Sequence, residues 1–228
     1  MTTPPILGRR SWIRIRRIHA VVNGDRRRCR TPPAPARYRA VVVWQAFEAA
    51  WHDSGCHALA GLATACPGER LYAAAFHLFY ADGTVILPPA LAANSETAVH
   101  HNDGYSTRFT PPEWRWDVLD AASDAMRPWY QRLTEEYLAP ATDDAERDLA
   151  LESLWTAHDA AMARVCKAMT TTARLGGIHS SLPATFVVVI LEGQRGDEEA
   201  DLIRASVDPL VLTTVPELAE HLRETEEA

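Results

Sequence analysis

Two short stretches of this chain crowd titratable side chains closely enough to do chemistry. His100-His101-Asn102-Asp103 offers two imidazoles and a carboxylate within four residues, the groups that acid–base catalysis or metal binding uses. Adjacent side chains point in different directions, however, and no H-E-x-x-H or C-x-x-C partner occurs elsewhere in the chain. The stretch reads first as a solvated loop tip. Gly176-Gly177-Ile178-His179-Ser180-Ser181 sets a His beside two Ser on a turn. A serine nucleophile needs a base in hydrogen-bond reach and a carboxylate that orients the base, and no G-x-S-x-G elbow is present. The Gly pair closes a helix instead of opening one, and no Lys follows it, so a phosphate cradle does not fit. An enzymatic reading therefore has His100, His101, Asp103 and His179 to rest on. No catalytic constellation, no metal site and no cofactor is expected.

A third stretch, Tyr105–Trp116 (YSTRFTPPEWRW), holds Arg108, Glu113, Trp114 and Trp116 around Pro111-Pro112. Two Trp and a charged pair in about ten residues are costly to expose. Either Trp114 anchors the loop against a sheet, with Glu113 capping a helix or pairing with Arg108, or the four form a recognition surface. A Trp near a helix start readily staples that helix to the core, which favours the anchoring role. His77 and His158 fall on apolar stripes and read as hydrogen-bonded core residues.

The elements that must position these residues follow from periodicity. A first helix is predicted from near Arg37 to about Asp53, with Val43, Phe47, Ala50 and Ser54 on one face and Gly55 as its stop. Cys56–Cys66 is ambiguous between a short helix and a packed loop. Leu71–Tyr80 is the strongest strand, apolar on both faces and so covered on both sides or central in its sheet. Asp82-Gly83 signals a hairpin, with Thr84–Leu87 returning antiparallel. Ala90–Thr110 reads as polar and irregular, with Asn94-Ser95-Glu96 suited to cap a short helix. Pro111-Pro112 opens a helix that Pro128 should kink or break near Arg127. A long helix after Pro140–Asp144 carries Leu151, Trp155, His158, Met162, Val165 and Met169 and ends at Gly176-Gly177. Ala184–Leu191 is a second buried strand, Glu198–Ala205 a helical turn or two, and Pro216–Glu227 a terminal amphipathic helix. This order predicts a single α+β domain over residues 38–228, a small, mainly antiparallel sheet with helices packed on it.

Charge divides the chain. Residues 1–39 hold eleven Arg against Asp25, about +10, while residues 40–228 hold 29 Asp and Glu against 12 Arg and Lys, a net −17. Residues 1–37 read as a basic, disordered leader, with a nucleic-acid-binding arm or a natural start near Val21 or Val41 as alternatives. Arg9-Arg10 resembles a twin-arginine start, but Arg14, Arg16 and Arg17 break the apolar run behind it. No window approaches eighteen consecutive apolar residues, so no membrane partner is expected. The four scattered Cys read as reduced thiols of a cytoplasmic protein, buried and inert.

Leu71–Tyr80 with its hairpin, Ala93-Asn94-Ser95-Glu96, then Arg108-Phe109-Thr110-Pro111-Pro112-Glu113-Trp114, a long helix and Ala184–Leu191 together resemble the bacterial domain-of-unknown-function 4303 family over about residues 38–215. Ser95 stands where that family has Thr, and Phe109 where it has Trp. The resemblance implies a cytosolic bacterial α+β domain without assigned catalytic residues, of a kind that often looks like a toxin-immunity component. The functional expectation is a non-enzymatic protein-binding module, an immunity-type inhibitor of a basic partner, since complementary charge speeds capture. The alternatives are an enzyme using His100, His101, Asp103 or His179, and a nucleic-acid-associated protein acting through residues 1–37.

Overall fold

Every side chain of Leu71–His77 is buried, and this strand, β1, is the middle of the sheet. The computed structural model describes residues 42–81, 85–99, 101–102, 105–138, 144–193 and 198–227. All of them belong to the unit Arg39–Ala228. The leader 1–37, the Asp82-Gly83 turn, His100 and Asp103 lie outside the described residues.

Helix α1 (Trp44–Ala65) leads into β1. Its buried residues Phe47, Trp51, Gly55, Leu59 and Ala63 repeat every four positions, which makes one stripe along the helix. The predicted stop at Gly55 is therefore wrong, and residues 56–65 of the ambiguous segment are nearly the second half of the helix. Gly55 allows a close approach: a Cβ there would lie 2.6 Å from Met169 Cε and 2.9 Å from Sδ, so the end of the Met169 side chain would have to shift. Strand β1 ends at His77, and the next residue, Leu78, takes a left-handed backbone (φ 58°). Strands β2 (Tyr80–Ala81) and β3 (Ile86–Leu87) pair antiparallel as a small separate ladder.

The antiparallel partner of β1 is β4 (Ala90–Ser95), in a segment expected to be irregular. Its ALAANS sequence lacks the β-branched and aromatic residues that mark strands, yet all six residues are buried. A 3₁₀ turn (Glu96–Ala98) follows it, without a side-chain cap from Ser95. Short strands β5 (His101–Asn102) and β6 (Tyr105–Ser106) pair antiparallel. Two 3₁₀ turns come next, Thr107–Phe109 and Pro111–Glu113. The proline pair thus opens a single 3₁₀ turn, and α2 (Asp120–Tyr137) starts seven residues after Glu113. Helix α2 continues through Pro128, which lies on its exposed side, where water can satisfy the freed carbonyl.

Helix α3 (Asp144–Arg174) ends at Gly176 (φ 77°), whose N–H donates to Ala173 O while Gly177 N–H donates to Thr172 O. That pair of bonds is a Schellman cap. Strand β7 (Val187–Ile190) then joins β1 in parallel, so the main sheet, ordered β4-β1-β7, is mixed. The physical cause is the long helical crossover before β7, which brings the chain back to run in the same direction as β1. Helices α4 (Glu199–Ser206), α5 (Pro209–Thr214) and α6 (Pro216–Glu227) complete the unit.

The fold is α+β in one domain, with the sheet covered on both faces. Ala74, Phe76, Leu91, Ala93, Val188 and Ile190 pack under α1, α2 and α3. Ala73, Ala75, Ala92, Val187 and Val189 pack under α4, α5 and α6. Both edges are closed. Thr170 and Ser206 hydroxyls accept from the outward N–H groups of Val188 and Ile190, and Ala93 exchanges backbone bonds with Trp116. No helix among the described residues is long and apolar enough to cross a membrane.

Candidate functional site

At one end of the sheet the turn 107–116 folds over β1, β4 and α6, and Arg108 is its hub. Both terminal nitrogens of Arg108 donate to the Glu96 carboxylate, at 2.8 and 3.0 Å. Its guanidinium lies 4.2 Å over the Tyr72 ring, with Glu217 3.9 Å away. The bond from Arg108 holds the Glu96 carboxyl below its ordinary range. Tyr72 Oη donates to Arg108 O at 2.6 Å and accepts from Asn94 Nδ2 at 3.1 Å. Burial pushes the Tyr72 hydroxyl well up, so it stays protonated and keeps that donor role. Beside this clamp, Glu69 accepts from Ser95 (2.6 Å), Thr97 (2.5 Å) and Arg115.

The four candidate residues of this turn do not share one surface. Trp114 is 4% exposed, packs on the α4–α6 side and donates from Nε1 to Thr107 O at 3.0 Å. Trp116 packs against the opposite core, under the Arg115 guanidinium at 5.5 Å. Glu113 is exposed, and the partner of Arg108 is Glu96 and not Glu113. Asn94-Ser95-Glu96 and the Arg108–Trp114 turn, read separately from the sequence, are held together by these bonds.

The surface next to the clamp is acidic. Helix α6 exposes Glu217, Glu220, Glu224, Glu226 and Glu227, and the adjoining α4 exposes Asp201. Arg223 pairs with Glu220 and Glu227, and Arg204 with Asp201 and Glu226. Phe109 stacks on His221 with centroids 5.3 Å apart, which fixes α6 to the turn. The spacing of the α6 acids was visible in the sequence; what it lacked was the packing of α6 beside Arg108.

Of the residues of the enzymatic reading, His100 and Asp103 lie outside the described residues. His101 lies in β5. His179 Nδ1 accepts from the Ser181 backbone N–H at 3.2 Å and meets its hydroxyl at 2.8 Å, contacts within one turn. His77 is buried with Nε2 2.8 Å from Asp117 O. His158 Nε2 lies 2.7 Å from Tyr130 Oη inside an aromatic cage of Trp44, Phe47, Phe79 and Trp155. Among the described residues no three His, Cys, Asp or Glu side chains converge to hold a metal ion. Comparison with family models, curated proteins and solved structures finds no match to the chain.

Proposed function

We propose that this protein is a non-enzymatic binding module whose acidic α6 face, together with exposed Glu113 of the turn that packs on α6 through Phe109 and His221, receives a basic protein surface. The observation that carries the reading is charge placed on a rigid support. Residues 40–228 carry net −17, and α6 sets five exposed Glu against one Arg. A face of one sign steers an oppositely charged partner and raises its association rate. Buttressing by buried Trp114 and by the Glu96–Arg108–Tyr72 clamp supports the reading, because a preformed surface loses little entropy on binding. Immunity-type inhibition of a basic toxin is the specific form proposed. The resemblance to the domain-of-unknown-function 4303 family, itself a proposal, points the same way.

Affinity capture from host extract tests this, with the full chain and a Glu113→Lys/Glu224→Lys variant side by side. Those two acids lie outside the ion pairs described above. The expected result is a basic protein held by the wild type at low salt and lost by the variant. Identical capture by both chains contradicts the proposal.

A further inference from the structure

Residues 116–119 run along the outer edge of β4 as a strap. Ala93 N–H donates to Trp116 O at 2.8 Å, and Leu119 N–H donates to Leu91 O at 2.7 Å. Between those two ties lie Asp117 and Val118, both exposed. A third tie comes from the far side of β4: His77 of β1 has Nε2 2.8 Å from Asp117 O. The strap, β4 and β1 lie side by side in that order, so the imidazole crosses β4, and small Ala90 is the residue opposite it.

The hydrogen-bond logic fixes the ring. A carbonyl only accepts, so Nε2 carries the proton and Nδ1 holds a lone pair. His77 is 2% exposed, and its Nδ1 has no hydrogen-bond partner among the described residues. A proton added there would become a buried N–H and a buried charge with no acceptor, which costs far more than the same step in water. The surrounding carboxylates do not supply one. Asp117 is exposed, and its attraction offsets burial only in part. Beyond β7, Glu192 accepts from Phe79 N–H at 3.0 Å, and Glu199 of α4 accepts from the Glu192 and Gly193 N–H groups at 2.8 and 2.9 Å. Asp120, at the start of α2, is exposed. The closed strap therefore requires a neutral imidazole.

We propose that residues 116–119 are an acid-released strap, latched to the sheet by His77. Opening the strap brings water to the imidazole, which then takes a proton without penalty. While the strap is closed, burial holds His77 below its ordinary 6.5. Above pH 6.5 the closed form has its full stability; as pH falls below 6.5 the open form binds a proton that the closed form refuses, and closure weakens. Opening uncovers Leu91 O, Ala93 N–H and Ala93 O in one row, the unpaired edge to which another strand can add. The other edge of β1 does not depend on this latch, since Leu191 N–H donates to Phe76 O there at 3.0 Å. The strap does not rest on the reading of the α6 face.

Native-state hydrogen exchange of the full chain, followed through mildly acid pH and corrected for the intrinsic pH dependence of exchange, tests this. The Ala93 and Leu119 amides should lose protection by about tenfold per pH unit below 6.5, and level off at the midpoint of the His77 titration read by NMR. Their exchange should ignore low concentrations of urea, the mark of local opening, whereas that of the Leu191 amide should accelerate. His77→Gln places an amide N–H at the position of Nε2 and does not titrate, so its strap protection should be indifferent to pH. His221→Gln should keep the wild-type response. Strap protection that ignores pH in the wild type, levels off away from the His77 midpoint, or tracks Leu191 in urea would each overturn the proposal, as would a pH response that survives His77→Gln.

Discussion

Tyr72 and Arg108 hold each other twice. The Tyr72 hydroxyl donates to the Arg108 carbonyl at 2.6 Å, and the Arg108 guanidinium lies 4.2 Å over the Tyr72 ring. One residue belongs to the central strand and the other to the turn that borders α6, so this pair ties the acidic surface to the core.

Removing only the hydroxyl separates the two contacts. Tyr72→Phe keeps the ring under Arg108 but leaves Asn94, fully buried, without its acceptor. We expect a loss of about 1–3 kcal/mol, the cost of a stranded buried polar group, read as a lower urea midpoint. An unchanged midpoint would show that water replaces the hydroxyl.

Trp114 is part of the core, and Trp114→Ala should cost about 3–5 kcal/mol. Glu113→Ala, one residue away and exposed, should change stability by less than about 0.5 kcal/mol. Equal effects of the two in urea denaturation would contradict the placement of Trp114.

Acidification should destabilise the wild type through His77 and His221, both held below the ordinary imidazole range mainly by burial. Burial lowers His77 below its ordinary 6.5, with the contacts to Asp117 opposing only in part. The unfolded chain then binds a proton that the folded chain refuses. The contribution of His77 is therefore present above pH 6.5 and is lost as pH falls through the window below it. Glu96, lowered by its bond to Arg108, contributes above 4.5 and loses that contribution at still lower pH. His221 is lowered as well, so His77→Gln should reduce, and not abolish, the slope of stability between pH 7 and pH 5. Parallel curves for the two chains would rule out His77 as a source of that slope.

Much of the fold was legible where periodicity and punctuation agree. The α3 stripe, its Gly176 end, the β-branched β7 and the apolar β1 all signal themselves. Strand β4 did not, because ALAANS is strand only by virtue of β1 and the helices that bury it. Gly55 misled for the opposite reason: a residue that marks helix ends sits mid-helix, where the Met169 side chain packs against it. Around Arg108 the sequence showed the ingredients but not the pairing, since Glu96 is twelve residues from Arg108 and Glu113 only five. Parallel pairing of β7 was equally invisible, being set by the path of the crossover.

The most direct test of the acidic-face account is titration of the purified captured partner with the full chain across a range of salt. The account predicts an association rate that falls steeply as salt rises and falls again, at fixed low salt, for Glu113→Lys/Glu224→Lys, with the dissociation rate changing less. An association rate indifferent both to salt and to reversal of these two charges would contradict it.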